Sequence, residues 1–166
     1  NYVGDRSWFP EVEPNSVDTI YDMASVTKVM TTTTCILKLL EEGKVRLFSK
    51  VSSFLPRFKH QNLVLWHLLT HTSGLNEGIP GVTKIKSSEE AWNKAYDMDL
   101  IYEPGTKIQY SDVNYILLGK IVEVVSGLSL DQFAKKYIYE PCEMKDTCFN
   151  PVDKKRCAPT EERNDE

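Results

Sequence analysis

The longest apolar stretch of this sequence runs from Tyr115 to Val125, interrupted by Lys120 and Glu123. It falls well short of the roughly 18 to 20 apolar residues that a membrane span requires. It reads instead as an apolar helix from Ile116 to Val125, ended by Gly127, a residue that suits the left-handed position after a helix. A chain of 166 residues, 41% apolar and 27% charged, is long enough to bury a sizeable core.

Other segments also carry helical signals. From about Ser25 to Glu42, Val29, Ile36 and Leu40, with Met30 and Leu37, recur at helical spacing, and Gly43 follows. The run Thr31-Thr32-Thr33-Thr34 opposes that helix, because β-branched side chains lose χ1 freedom in it, so tertiary burial has to hold the turn. Val64 to Thr70 reads as a short apolar helix closed by Gly74. Ser87 with Glu90, and Ser129 with Gln132, form two capping boxes, opening helices to about Tyr96 and about Ile138. Strand signals are few and short, and no internal repeat is found. The expectation is one helix-rich partial domain over 1–166. Both ends read as cut: the polar, aromatic-bearing start has no preceding strand to pair with, and the tail from Thr160 to Glu166 lacks a cap or an apolar anchor.

A formal charge of −4 without any Lys/Arg block gives no basis for nucleic acid or anionic lipid as a partner. The first ten residues lack the basic start and apolar core of an intact signal peptide. Cys35, Cys142, Cys148 and Cys157 are irregularly spaced, with no C-x-x-C pair and no nearby histidine to complete a zinc site. Cys35 falls in a helical segment and reads as a buried free thiol, which favours a reducing, cytoplasmic compartment. His67 and His71, four apart, have no carboxylate or third ligand beside them and read as packing and hydrogen-bonding residues. No metal or other cofactor is expected.

Ser25 and Lys28 lie three apart at a helix start, one turn from each other on one face. The bare S-x-x-K spacing is weak evidence, since 12 serines and 15 lysines supply about one such pair by chance. Its setting adds weight: N–H groups at a helix start can stabilise an oxyanion, and Met23 and Val29 can desolvate Lys28 and lower its pKa. On chemistry alone two readings stand, a nucleophile with its base or a helix-start serine beside a surface lysine.

YDMASVTK with the helix after it and EEGKV, then LWHLLTHTSGL, then YEPGTKIQYSDVNYILLGKIVEVVSG, then IYEPCEMKDTCF follow one another in the chain. Together these blocks resemble the class C β-lactamase and penicillin-binding-protein-like serine hydrolases, a family that also holds esterases and D-amino-acid peptidases. The resemblance covers nearly the whole chain. It implies the α-rich, helical part of an α+β β-lactamase/transpeptidase-like fold, with the antiparallel sheet mostly missing. It implies an acyl-enzyme on Ser25, formed with a β-lactam, a small ester or a D-Ala peptide.

By the same resemblance Tyr110-Ser111-Asp112 takes the place of the family's Tyr-x-Asn, with Tyr110 sharing the Ser25 proton with Lys28. Asp112 departs from the pattern. A carboxylate accepts hydrogen bonds but cannot donate one, so it suits binding Lys28, and its charge raises the Lys28 pKa. A plainer reading has Asp112 capping a helix that starts near Tyr115. An alternative register would align Ser111-Asp112-Val113 with a Ser-Asp-Asn motif, but Val113 lacks the amide. The family's third motif, Lys-Thr-Gly or His-x-Gly on a strand, supplies the second oxyanion N–H, and no Lys-x-Gly or His-x-Gly occurs anywhere in the chain. The expectation is a part of a longer hydrolase, a poor catalyst alone, that contacts the remainder of the same protein. The alternative is a penicillin-binding or sensing module that does not turn over.

Overall fold

The computed structural model describes residues 3–160. Strand β1 (Asp5–Ser7) pairs antiparallel with β2 (Glu13–Pro14) in a two-stranded sheet. A π-helical turn over Lys28–Thr33 runs directly into α1 (Thr34–Glu41). Then come α2 (Leu65–Leu69), α3 (Ser88–Asp97), α4 (Asp112–Ser126) and α5 (Leu130–Ala134), the last continuing as a second π-helical turn, Lys135–Tyr139. The expectation of a helix-rich chain with short strands holds among the described residues.

The apolar stretch is the hub. Val113, Leu117, Leu118, Ile121 and Val122 of α4 are fully buried, and α1, α2, α3, α5 and the first π-helical turn all pack on it. The two charges that interrupt the stretch lie at its rim: Lys120 Nζ stands 3.6 Å from the centre of the Trp92 ring and 3.1 Å from Glu123 Oε2. A snorkelling lysine covers apolar surface with its stem while its charge keeps a partner. Gly127, at φ 72°, donates to the Glu123 carbonyl and ends the helix as its sequence position suggests.

The threonine run is where the expected helix departs from α geometry. Thr31 and Thr32 are buried in the π-helical turn, and three hydroxyls find partners. Thr31 Oγ1 meets Tyr139 OH at 2.5 Å, Thr33 Oγ1 meets Tyr115 OH at 3.2 Å, and Thr34 Oγ1 donates to the Val29 carbonyl. Tertiary hydrogen bonds thus hold a segment that local propensity disfavours.

Of the two capping boxes, the first forms in part and the second does not. Ser87 Oγ accepts from Glu90 N at 3.2 Å, while the Glu90 carboxylate reaches Lys86 N. At Ser129 the side chain makes no cap bond, and Leu130 N donates instead to Glu123 Oε1 of α4. A carboxylate at a helix start interacts with the exposed N–H groups more strongly than a neutral hydroxyl does.

Helix α2 also ends differently from expectation. The left-handed residue after it is His71, at φ 57°, and Gly74 serves another purpose. At φ 84°, Gly74 lies where an added Cβ would stand 2.3 Å from the Tyr102 carbonyl oxygen. The close approach lets a strap over 101–109 bond to the loop 71–74. Ile101 N donates to Gly74 O, Gly105 N to Thr72 O and Gln109 N to His71 O, all within 2.9 Å. A Gly74→Ala substitution should therefore destabilise the fold by about 2–4 kcal/mol, from backbone strain and a backbone clash together. Thermal unfolding of the variant measures this, and an unchanged melting temperature would contradict it.

Candidate active site

The segment before Ser25 is pinned by the far end of the chain. Ile20 N donates to the Arg156 carbonyl and Ala158 N to the Ile20 carbonyl, both at 2.8 Å. Two residues later Asp22 Oδ1 accepts from Ala24 N at 2.8 Å. Ala24 itself sits at φ 40°, a left-handed conformation that costs a residue with a Cβ about 1–2 kcal/mol. The chain then turns at once into helix, with Val26 N bonded to Met23 O and Lys28 N to Ser25 O. Ser25 is left exposed at the helix start.

Four side chains meet there, from two segments far apart in the chain. Tyr110 OH donates to Ser25 Oγ at 2.6 Å, and Lys28 Nζ donates to the same oxygen at 3.1 Å. Lys28 Nζ also forms an ion pair with Asp112 Oδ1 at 2.7 Å and lies 4.8 Å from the centre of the Tyr110 ring. The structure thus brings Ser25, Lys28, Tyr110 and Asp112 together. It also places Asp112 as the first residue of α4, with Ser111 at the cap position, so Asp112 does not cap a helix beginning at Tyr115.

The electrostatics overturn one expectation. The Lys28 side chain is only 15% exposed, and this burial does pull its pKa down. Hydrogen bonds and charge from Asp112 and Tyr110 oppose the burial and outweigh it, so the ammonium is held above the ordinary lysine value of 10.5. Met23 and Val29 cannot dominate, because they are themselves well exposed. Lys28 in this arrangement is a charged donor to Ser25 Oγ. A cleft of about 800 Å³ opens beside the serine turn, lined by Met23, Thr27, Met30 and Tyr139, but Ser25, Lys28 and Tyr110 do not line it.

A polar seam beneath the site escaped the reading of the sequence. Ser73, Ser111 and Asn114 are almost fully buried, and each is hydrogen-bonded. Ser73 Oγ donates to Asn114 Oδ1 at 2.6 Å, and Ser111 Oγ to the Asn76 carbonyl at 2.6 Å. His71 Nδ1 accepts from Ser111 N at 3.1 Å and lies 3.3 Å from Asn114 Nδ2. The only signal for this seam was the polar content of HTSGL and YSDVN, two blocks about 40 positions apart. His67 lies outside it, with its Nδ1 accepting from Val64 N in the first turn of α2.

With this geometry, the relationships of the chain are plain. It belongs to the Beta-lactamase family, whose model matches residues 2–165. It is 33% identical over 153 residues to a putative D-alanyl-D-alanine carboxypeptidase of Salmonella schwarzengrund, an alignment covering 82% of this chain and 35% of the relative. The octameric penicillin-binding protein homologue from Pyrococcus abyssi is similar at a TM-score of 0.68 and 35% identity, over 80% of this chain and 33% of that one. The β-lactamase/D-alanine carboxypeptidase from Yersinia pestis is similar at a TM-score of 0.77 and 27% identity, over 87% of this chain and 45% of that one. The chain spans about a third of the length of the curated relatives it matches. Its fold is the α-rich part of a β-lactamase/transpeptidase-like architecture.

The ion pair carries a pH signature. A lysine whose folded pKa is raised contributes stability that is complete below the unfolded value of about 10.5 and is lost as pH climbs through the folded value. Asp112→Asn removes the carboxylate but leaves the burial, so the Lys28 pKa should fall. Observing the Lys28 Cε resonance through an alkaline titration checks the direction, and a rise in the variant would contradict it.

Proposed function

We propose that Ser25 is the nucleophile of a serine hydrolase that works through a covalent acyl-enzyme. The observation that carries this reading is the convergence on Ser25 Oγ of Tyr110 OH at 2.6 Å and Lys28 Nζ at 3.1 Å. In the reaction the Tyr110 phenol, which is open to solvent, first gives up its proton to water, and the phenolate, facing the Lys28 ammonium, takes the Ser25 proton as Oγ attacks the substrate carbonyl carbon. Tyr110 then protonates the departing group, and the phenolate so regenerated takes a proton from the water that attacks the acyl carbon and returns it to Ser25 Oγ as the acyl group is released. Asp112 keeps Lys28 in place and charged, which makes Tyr110 the chief carrier of the proton.

The substrate class that fits is a D-alanyl peptide or a small ester, with β-lactams acting as acylating agents. The names of relatives support the peptide, and Asp112 argues against efficient β-lactam turnover, since a carboxylate cannot donate to a substrate carbonyl. The chain itself offers the N–H groups at the Ser25 helix start as one side of an oxyanion hole. The other donor comes, in this reading, from elsewhere in the natural protein. The exposed stripe of Val26, Val29 and Leu37 on the serine helix supports a partial domain that packs against that remainder.

A second reading has the same fold acylate without turning over, and the charged state of Lys28 favours it. In the protein at its natural length, Ser25→Ala should abolish labelling by a fluorophosphonate or a penicillin. Lys28→Ala should slow it about a hundredfold without unfolding the protein. Unchanged labelling of Ser25→Ala would remove the nucleophile. Release of the label then separates the readings, because a hydrolase frees Ser25 and a sensor does not. The 166-residue chain alone should label weakly or not at all, for want of the second oxyanion donor.

A further inference from the structure

His71 brackets Tyr110 from three directions. Its carbonyl accepts from Gln109 N at 2.9 Å, its ring Nδ1 accepts from Ser111 N at 3.1 Å, and its ring packs on the Tyr110 ring with centres 4.8 Å apart. The residues on either side of the tyrosine are therefore tied to one histidine. The same ring packs on Tyr115 at 5.2 Å, and Tyr115 OH is held by the Leu69 carbonyl and Thr33 Oγ1. Tyr110 thus leans on a ring that itself rests against a fixed neighbour.

The hydrogen-bond partners fix the protonation state of that ring. Ser111 N–H can only donate. Asn114 presents its Nδ2 to the ring because its Oδ1 is already taken by the Ser73 hydroxyl. Two donors converge on Nδ1, so Nδ1 is bare and the proton sits on Nε2. A charged imidazolium would set a third N–H against these two.

We propose that His71 is a positioning residue for Tyr110: as a neutral imidazole it holds the phenol against Ser25 Oγ, and its protonation releases that phenol. The role at the nucleophile rests on the reading of Ser25 given above. The charged groups facing the ring are Lys28 and Asp112, and the phenols of Tyr110 and Tyr115 lie against it. Burial and then the Lys28 charge push the His71 pKa below its ordinary 6.5, while Asp112 pulls the other way and is outweighed. A depressed folded value means that the unfolded chain binds more protons just below pH 6.5. Stability and the Tyr110 geometry are then complete above that pH and decline as pH falls through the folded value.

The first test is independent of any catalysis. In the full-length protein with labelled histidine and tyrosine, His71 should appear by NMR as the Nε2–H tautomer, and the Tyr110 ring signals should move with the His71 midpoint. An Nδ1–H tautomer, or Tyr110 signals indifferent to that titration, overturns the proposal. The second test follows fluorophosphonate acylation of Ser25 against pH. His71→Asn keeps an acceptor near Nδ1 and tolerates the left-handed backbone, so it should retain most of the rate and lose the acidic limb seen in the wild type. His71→Phe keeps a ring but no acceptor and should lose about tenfold or more. A wild-type acidic limb in His71→Asn, or a wild-type rate in His71→Phe, overturns the proposal. If the unmodified protein takes no label at Ser25, the nucleophile reading fails, and the NMR titration still decides the role of His71.

Discussion

A buried polar group must find a partner, and the seam joining Ser73, Asn114, His71 and Ser111 is where this chain meets that demand most heavily. Asn114 is fully buried on the hub helix α4, and leaving its amide unpaired would cost about 1–3 kcal/mol. Its two ends are satisfied by the loop after α2, one by Ser73 and one by His71. That loop cannot move without breaking the bonds, and neither can the start of α4. The start of α4 carries Asp112 and follows Tyr110 directly, so the geometry around Ser25 inherits its rigidity from a network that touches no reacting atom. Such networks are stabilising when complete and costly when broken.

What could be read from the sequence depended on how local each signal was. The central helix announced itself through an apolar run closed by Gly127, and the start of α3 through Ser87 with Glu90. Ser25 and Lys28 were visible as a spacing, though a weak one. Tyr110 and Asp112 stood out only through the resemblance of whole blocks, since nothing local ties position 110 to position 25. The seam and the role of His71 were not legible, because they arise from blocks that meet only once the helices have packed. The failed cap at Ser129 has the same origin: the first N–H of α5, at Leu130, is taken by a glutamate of α4 six residues before the serine, a contact no local rule anticipates.

The lysine shows why two correct qualitative arguments needed a structure to rank them. Desolvation lowers its pKa and a neighbouring carboxylate raises it, and both effects were foreseeable. The outcome turns on distance, and at 2.7 Å the carboxylate wins.

The strap over 101–109 is joined to the loop after α2 through main-chain groups, at Ile101, Gly105 and Gln109. Bonds of this kind are blind to side-chain identity, provided that no proline takes a donating position and that Gly105, at φ 82°, remains free to adopt its conformation. The outward side chains of the strap, Ile108 among them, are thereby uncoupled from the register that delivers Tyr110. A lineage can rewrite that outer surface, one substitution at a time, while the tyrosine it leads to stays where it is.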